Sequence, residues 1–382
     1  MKRIVCLLLT FLCALPIAAC NKEDAPAPRV WCVAPPSSAA EIEIRQMIRE
    51  YDSEAYVSFV PAEDIESRLS GAIERGEAPD VFTVYADMIP DLAENKKLAD
   101  LTDRLRLGNV KTDEMRDSCR RACVYQGKTW ATPLFTDVYM LACNRELVSV
   151  APDTFAQLKE LSAELEKKGV KTFEKLSPEK VSLLFEAALD EYGGSMLSSR
   201  KTSLEFSSQA GRSALEDLTA ILKNSADEEE ATGEGKAAFS VLTLSERRAR
   251  SEKYPDVEIE LTPLFGLKRL QTMSVAMGAD TKDQKRAYKL VEFLATESDK
   301  LCALYKNYSA DKNLLPISDE DKSAVLTLES AKAAPDLCGF RALEKTYLPS
   351  AVDKSAKGVN AEDCLNEAVS SASPNIWKGK RE

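Results

Sequence analysis

Between residues 29 and 85 the sequence alternates short apolar runs with amphipathic stripes, and this alternation constrains the fold more than any other feature. The apolar runs are RVWCV (29–33), AYVSFV (55–60) and DVFTVY (80–85). The intervening segments place apolar residues at helical spacing, namely Ile44, Met47, Ile48 and Tyr51, then Ile65, Leu69, Ala72 and Ile73. Strand, helix, strand, helix, strand at this spacing predicts right-handed βαβ units and a parallel sheet, hence an α/β fold.

The chain is long enough for more than this one unit. Its 382 residues predict two domains of ordinary size or one large α/β unit. Two later helices are predicted from stripes at the same spacing, which are Leu215, Leu218 and Leu222, and Ala287, Leu290, Val291 and Leu294.

The absence of histidine excludes whole classes of chemistry. With 0 histidines, the chain cannot use Ser-His-Asp or Cys-His catalysis, a histidine metal site or a histidine pH switch. We predict no catalytic set, no metal site and no cofactor. The formal net charge of −11 disfavours a nucleic acid as partner, because phosphate backbones are repelled.

The N-terminus reads as an export signal. Lys2 and Arg3 precede an apolar run from Ile4 to Leu15 that is too short to span a bilayer. The next segment, IAAC (17–20), resembles the bacterial lipoprotein signal, which implies cleavage before Cys20 and lipidation of Cys20. We therefore predict a lipoprotein signal peptide over 1–19, a flexible tether over 20–28 and an extracytoplasmic protein anchored to the cell membrane, periplasmic or on the cell surface. The alternative is an ordinary signal peptide that leaves Cys20 free or paired.

Seven cysteines remain in the mature chain beyond Cys20: Cys32, Cys119, Cys123, Cys143, Cys302, Cys338 and Cys364. Export permits disulfides, but an odd number leaves at least one thiol free, and the sequence does not decide the pairing. Cys119 and Cys123 lie four residues apart, yet no second close pair supports a zinc site. The expectation is structural disulfides or buried thiols.

Several stretches, in order from residue 29 to about 320, resemble one family. They are APDVFTVYADMIPDLAENKKLADLT, YQGKTWATPLFTDVYMLACNRELV, APDTFAQL, YGGSML, FSSQAGRSALEDLTAIL, GKAAFSV and KDQKRAYKLVEFLAT. The chain resembles the extracellular solute-binding proteins of bacterial ABC importers, in particular the carbohydrate-binding, maltodextrin-binding-like branch. It departs from this pattern in having only Trp31, Trp130 and Trp377, in carrying CNR at 143–145, and over its last sixty residues.

The resemblance implies a two-lobed periplasmic-binding-protein-like fold with a hinge and a central ligand cleft. The N-terminal lobe would hold 29–135 with 262–308, and the C-terminal lobe 136–261 with 309–382. The chain would cross between them near 133–137, 260–264 and 307–316. Thr154 is predicted to cap the helix that follows it.

The candidate ligand-binding residues follow predicted strands, because ligands of open parallel sheets sit beyond the carboxyl ends of the strands. They are Ser37, Ser38, Tyr85, Asp87, Phe135, Thr136, Asp137, Thr243 and Ser245. By resemblance, Asp87 and Asp137 occupy the places of sugar-binding carboxylates, while Thr243 and Ser245 stand where the family has an aromatic residue. The alternative is that Asp87 caps a helix and that Phe135 and three further aromatic residues (Trp31, Trp130 and Tyr139) belong to the core. If Asp137 binds the ligand, Asp137→Ala is expected to weaken binding with little change in melting temperature.

The resemblance implies a monomeric, lipid-anchored solute-binding component of an ABC importer. It would capture a small polar solute, a sugar or oligosaccharide, by hinge closure and deliver it to the transmembrane permease subunits. Two alternatives stay open from the sequence. One is a surface lipoprotein of the same fold that acts as an adhesin or a sensor's partner. The other is a carbohydrate-acting enzyme in which Asp87 and Asp137 serve as acid and base.

Overall fold

The structure is a computed structural model that describes residues 26–312 and 327–377. The predicted signal peptide (1–19), Cys20 and the tether up to residue 25 lie outside the described residues, as do 313–316 of the third predicted crossover. Within the described ranges, no helix is both long and apolar enough to traverse a bilayer.

Eleven strands build the sheets. They are β1 (Arg29–Val33), β2 (Tyr56–Val60), β3 (Val81–Tyr85), β4 (Val124–Tyr125), β5 (Lys128–Thr129), β6 (Ala131–Asn144), β7 (Lys171–Phe173), β8 (Ala237–Thr243), β9 (Ile259–Thr262), β10 (Leu270–Met277) and β11 (Tyr308–Ser309). The main sheet has the order β2-β1-β3-β10-β6-β8-β7, with β9 and β11 also paired to β6, while β4 and β5 form a separate hairpin.

Fourteen α-helices pack on these strands. They are α1 (Ser38–Tyr51), α2 (Ile65–Glu74), α3 (Ile89–Glu94), α4 (Thr102–Leu107), α5 (Asp117–Ala122), α6 (Phe155–Lys167), α7 (Pro178–Glu191), α8 (Gln209–Leu222), α9 (Leu244–Lys253), α10 (Gln284–Thr296), α11 (Ser298–Tyr305), α12 (Phe340–Ala342), α13 (Leu348–Ala356) and α14 (Ala361–Ile376). A π-helical turn at Leu343–Tyr347 joins α12 to α13. The predicted cap at Thr154 is confirmed, because its side chain accepts a hydrogen bond from the backbone N–H of Gln157 at 3.2 Å.

The sheet is mixed rather than parallel throughout. β1 pairs in parallel with both β2 and β3, as the βαβ pattern predicts, and β7 pairs in parallel with β8. In contrast, β10 is antiparallel to β3 and β6, and β6 is antiparallel to β8 and β9. The parallel prediction therefore fails in the centre of the sheet, where strands that are distant in sequence meet without a βαβ crossover.

Two hydrophobic cores lie on either side of the central strands. The first core takes its members from Val30 to Phe135 and from Met273 to Tyr305, with Cys338 added. The second takes its members from Tyr139 to Phe265 and from Leu337 to Ile376. The predicted lobe boundary at 261/262 disagrees with these cores at Leu264 and Phe265, which belong to the second core because Phe265 packs edge-on against Phe155 at 5.7 Å. The remaining lobe limits stay a proposal.

Strand β6 connects the two cores. All 14 of its residues are buried, its first half pairs with β10 and its second half pairs with β8 and β9. The pairing with β10 shifts register between Met273 and Ser274, opposite Phe135 and Pro133. Proline has no N–H to donate to a ladder, so the irregularity falls where one is expected. It lies within the first predicted crossover.

The cysteines of the described part are buried thiols. All seven residues from Cys32 to Cys364 are free and buried, so of the two alternatives the structure has buried thiols rather than disulfides. Burial raises the pKa of Cys32 and Cys123 to about 12, which keeps both protonated at neutral pH. Among the described residues, no group of three or more Cys, Asp or Glu side chains is arranged to hold a metal ion.

Candidate functional site

A cavity of about 500 Å³ lies between the two cores. Its wall combines first-core residues, such as Val33, Tyr85 and Phe135, with second-core residues, such as Tyr139 and Glu344's neighbour Lys345. The volume falls within the range of small-molecule sites in proteins, about 300–1,000 Å³. We take this cavity as the candidate ligand site.

The structure brings five of the nine predicted site residues to this cavity. Tyr85, Asp87, Phe135, Thr243 and Ser245 line it. The other four do not line it. Ser37 and Ser38 lie on the surface at the start of α1, where the Ser37 side chain accepts a hydrogen bond from the backbone N–H of Ala40 at 3.2 Å. Thr136 is buried in β6, with its hydroxyl 3.2 Å from the hydroxyl of Thr272.

Asp137 lies behind the cavity wall and holds helix α9 in place. Its side chain is fully buried, with 1% of the residue exposed. The carboxylate accepts hydrogen bonds from the backbone N–H groups of Val138 at 2.8 Å and of Leu244 and Ser245 at 3.0 Å each. The N–H groups at a helix start lack partners inside the helix, so the carboxylate satisfies them. The prediction that Asp137 contacts the ligand is therefore replaced by a positioning role.

Thr243 and Ser245 reach the cavity because α9 begins there. The Thr243 side chain accepts a hydrogen bond from the backbone N–H of Glu246, and the Glu246 side chain accepts one from the N–H of Thr243 at 2.8 Å. This reciprocal capping box fixes the first turn of the helix. The Ser245 hydroxyl then lies 3.1 Å from the Thr243 hydroxyl, at the cavity surface.

Aromatic side chains form part of the cavity wall. Tyr85, Phe135, Tyr139 and Tyr305 all line it. Phe135 and Tyr305 pack with ring centroids 4.6 Å apart and planes tilted by 32°. Phe135 is thus both a core residue and a wall residue, which answers the alternative left open by the sequence. Trp31 and Trp130 are partly buried against the first core and are not among the lining residues.

Tyr139 connects the two sides of the cavity floor through its hydroxyl. It donates to Glu179 Oε1 at 2.8 Å and accepts from the Gln271 side-chain amide at 2.6 Å. Burial and the nearby carboxylates of Glu179 and Glu246 raise its pKa well above the ordinary tyrosine value. The hydroxyl therefore stays protonated, and both of its hydrogen-bonding partners are used within the protein.

The charged residues of the wall neutralise one another. Acidic and basic side chains occur there in equal numbers, and most are paired. Glu246 pairs with Lys180 at 2.9 Å and Glu344 with Arg269 at 2.5 Å. Asp87 pairs through Oδ2 with Arg341. A wall whose charges cancel in this way carries little net field into the cavity.

One carboxylate oxygen in this wall has no partner. Asp87 follows β3 in a short 3₁₀ turn, Ala86–Met88, and makes no capping hydrogen bond to that turn or to α3. The predicted alternative, a helix cap, is therefore wrong. Its Oδ1 atom is buried and accepts no hydrogen bond. A buried acceptor left in this state costs free energy, about 1–3 kcal/mol, unless something supplies a donor.

The sequence did not identify the residues that the C-terminal segment contributes. Arg341, Glu344 and Lys345 line the cavity, yet they fall in the region that matched the family only loosely. A usable signal was present, since Arg341 stands between apolar residues in GFRAL, where a buried helix face carries a charge. A charge at such a position requires a partner.

Comparison with known families and structures places the chain. Residues 51–321 match the family described as bacterial extracellular solute-binding protein. A segment of 109 residues is 29% identical to the maltotriose-binding protein of Pyrococcus abyssi (strain GE5 / Orsay), and it spans 28% of this chain and 23% of that relative.

Solved structures share the fold over nearly the whole chain. One is an ABC transporter solute-binding protein of Thermotoga lettingae bound with alpha-D-tagatose, with a TM-score of 0.77, 16% identity and coverage of 91% of this chain and 99% of that chain. The GacH receptor of Streptomyces glaucescens gives a TM-score of 0.76 at 17% identity, over 91% of this chain and 97% of that chain. An ABC substrate-binding protein of Listeria monocytogenes, in complex with cycloalternan, gives 0.77 at 16% identity, over 94% and 99%.

These matches confirm the predicted fold class, an α/β protein with two lobes of the periplasmic-binding-protein type. They also confirm the family resemblance. Because the family match covers well over half of the sequence, and implies a location outside the cytoplasm, the chain belongs to the bacterial extracellular solute-binding proteins.

Proposed function

We propose that this protein captures a neutral sugar or short oligosaccharide in the cavity between its lobes and delivers it to an ABC importer. The observation that carries the proposal is the cavity wall itself, where aromatic faces stand beside the unpartnered, buried Oδ1 atom of Asp87. The named relatives support it, since their descriptions mention maltotriose, alpha-D-tagatose and cycloalternan.

The wall suits both surfaces of a sugar. A sugar hydroxyl can donate to Asp87 Oδ1, and a hydrogen bond to a charged acceptor is about twice as strong as one between neutral groups. The apolar C–H face of a pyranose can pack against a ring such as Tyr85 or Phe135. Ser245 and Thr243 add hydroxyls from the other lobe. A solute that contacts both lobes in this way favours the closed state of the hinge.

The charge balance favours a neutral solute over an anionic or cationic one. The cations Lys180, Arg269 and Arg341 are already paired with carboxylates of the protein. A phosphorylated or carboxylated solute would have to break one of these pairs to gain a counter-charge. A neutral sugar needs only the free acceptor and the hydroxyls.

The remaining parts of the function follow from the sequence and the family. Lipid attachment at Cys20 would hold the monomeric protein at the membrane, outside the cytoplasm, through a short tether. The permease subunits of the importer are the proposed partner for delivery. No bond of the solute is broken in this scheme.

Thermal unfolding of the purified mature protein in the presence of single solutes tests the proposal. Neutral mono- and oligosaccharides are compared with sugar phosphates, amino acids and inorganic anions. A ligand at 100 times its Kd stabilises by about 2.7 kcal/mol, which corresponds to a rise of at least about 5 °C in Tm. We expect such a rise with at least one neutral sugar.

Two matched variants connect that result to the cavity. Asp87→Asn is expected to weaken sugar binding by about tenfold to a hundredfold, because a charged acceptor is lost. Asp336→Asn is the control, since Asp336 also lines the cavity but is exposed and paired with Lys201 at 3.0 Å. Stabilisation by anions or amino acids alone, with no response to any sugar, would show the proposal to be wrong.

A further inference from the structure

Arg341 extends from one core of the molecule to the other. Its backbone lies in α12, whose neighbouring residues Phe340 and Leu343 pack in the second core. Both acceptors of its guanidinium group belong to the first-core side. Nε donates to Glu66 Oε2 at 2.9 Å, and Nη1 donates to Asp87 Oδ2. Only 6% of the Arg341 side chain is exposed.

Glu66 and Asp87 are held by elements of the first core. Glu66 lies in the first turn of α2, next to the fully buried Ile65. Asp87 follows β3 directly. The two carboxylates thus converge on one cation that the opposite core provides. Lys345, also from the second-core segment, adds a longer contact with Glu66 at 3.7 Å.

A neighbouring contact docks the same segment on the first core. Asp91 Oδ1, in α3, accepts a hydrogen bond from the backbone N–H of Gly339 at 2.7 Å and one from the Cys338 thiol at 3.0 Å. Cys338 itself packs with first-core residues. The segment 338–341 therefore grips the first core at two points beside the cavity.

We propose that Arg341 is a latch that holds the two lobes closed through Glu66 and Asp87 without any ligand. Opening the cleft separates the guanidinium from both carboxylates, so the open state carries the cost of those lost contacts. The salt bridges are largely withdrawn from solvent, and removing one partner of such a pair is costly because it leaves a buried charge without a counter-charge.

The latch also links closure to ligand recognition, and this second part rests on the proposed function. Arg341 takes Oδ2 of Asp87 and leaves Oδ1 free towards the cavity. Arg341 is in this sense a positioning residue, because it orients the carboxylate that receives the solute. A latched protein spends more time in the binding-competent closed state, which lowers the apparent Kd.

Small-angle X-ray scattering of the ligand-free mature protein tests the latch, and its outcome does not depend on which solute binds. Three variants are compared with the wild type. Arg341→Gln removes the cation. Glu66→Gln weakens the latch without altering the wall, since Glu66 does not line the cavity. Arg286→Gln is the control, because Arg286 makes a two-pronged salt bridge with Asp52 (2.6 Å) far from any lobe crossing, between α10 and the end of α1.

We expect the wild type and Arg286→Gln to scatter as the compact form, with a radius of gyration near about 20 Å. Arg341→Gln and Glu66→Gln should each increase this radius by about 1 Å, about 5% of the compact value. An expanded ligand-free wild type, or a folded Arg341→Gln variant with the wild-type radius, would overturn the latch. If the variants expand but no sugar binds the wild type, the proposed function fails and the latch stands.

Discussion

The Oδ2 atom of Asp137 accepts a hydrogen bond from the backbone N–H of Ser245 at 3.0 Å, which ties the start of α9 to strand β6. Ser245 faces the cavity, whereas Asp137 does not. The residue that the sequence identified as the leading ligand contact thus acts one step behind the wall.

The first prediction follows from this relationship. Asp137→Ala leaves the N–H groups of Leu244 and Ser245 without their acceptor, so it should lower the free energy of unfolding by about 2–4 kcal/mol. Urea denaturation followed by circular dichroism measures this change. Ser245→Ala, which keeps the backbone N–H, should cost less than about 1 kcal/mol. An Asp137→Ala protein with wild-type stability but weakened ligand binding would restore the direct role.

The second prediction concerns two helical glycines with opposite surroundings. A Cβ atom at Gly211, in α8, would lie 1.7 Å from the backbone oxygen of Phe206, whereas one at Gly71, in α2, would meet only the flexible end of Arg75 at 3.2 Å. Gly211→Ala should therefore destabilise the protein by about 3 kcal/mol. Gly71→Ala should stabilise it by about 0.5–1 kcal/mol, because alanine favours the helix. Thermal melts of both variants compare them directly, and a shift of the same sign in both would contradict the packing argument.

The third prediction is a pH dependence of stability that arises from Glu344. Burial raises its pKa from 4.5 to about 7, although the neighbouring Arg269 opposes this shift. The folded protein therefore holds the proton more tightly than the unfolded chain does. This contribution is fully present below about pH 4.5 and is lost as the pH rises through about 7, on the order of 3 kcal/mol in total.

Urea denaturation at a series of pH values from 5 to 8 measures that contribution. Because other groups titrate as well, the informative quantity is the difference between wild type and Glu344→Gln, whose side chain cannot titrate. The wild type should lose stability relative to the variant as the pH rises across this range. A constant difference between the two would remove Glu344 as the cause.

The fourth prediction tests the proposed anchor. Cys20→Ser should release the protein from the membrane fraction, because the residue that would carry the acyl chains is absent. Cys32→Ser is the matched control, since Cys32 is a buried thiol in β1 that has no part in anchoring. Fractionation of cells followed by immunoblotting reads out both. Equal membrane retention of the two variants would contradict lipidation at Cys20.

Local periodicity predicted the first third of the fold well. The stripes of α1 and α2 bury Ile44, Met47 and Ile65 as expected, since each helix must cover one face of the sheet. Tyr51 is an instructive exception, because it is 46% exposed and stacks on Phe293 at 4.2 Å rather than entering the core. A large aromatic residue at a helix end can cover a neighbour and remain partly wet.

Long-range pairing was beyond the reach of the sequence. Nothing local indicates that β10 enters the sheet between β3 and β6, because these strands come from distant parts of the chain. The same limit explains the site. Tyr85 and Asp87 were found because they end a recognisable strand, whereas Arg341 reaches the cavity only through the packing of the C-terminal helices.

The position of β10 has a consequence for how the protein is made. The first core contains Val30 to Phe135, yet it is completed only by residues from Met273 to Tyr305. Until that later stretch emerges, β3 of a nascent chain lacks its antiparallel neighbour and exposes an unpaired edge. Translation is nearly finished before the amino-terminal half can reach its final form, so such a chain stays threadable for most of its synthesis and needs protection from aggregation during that time.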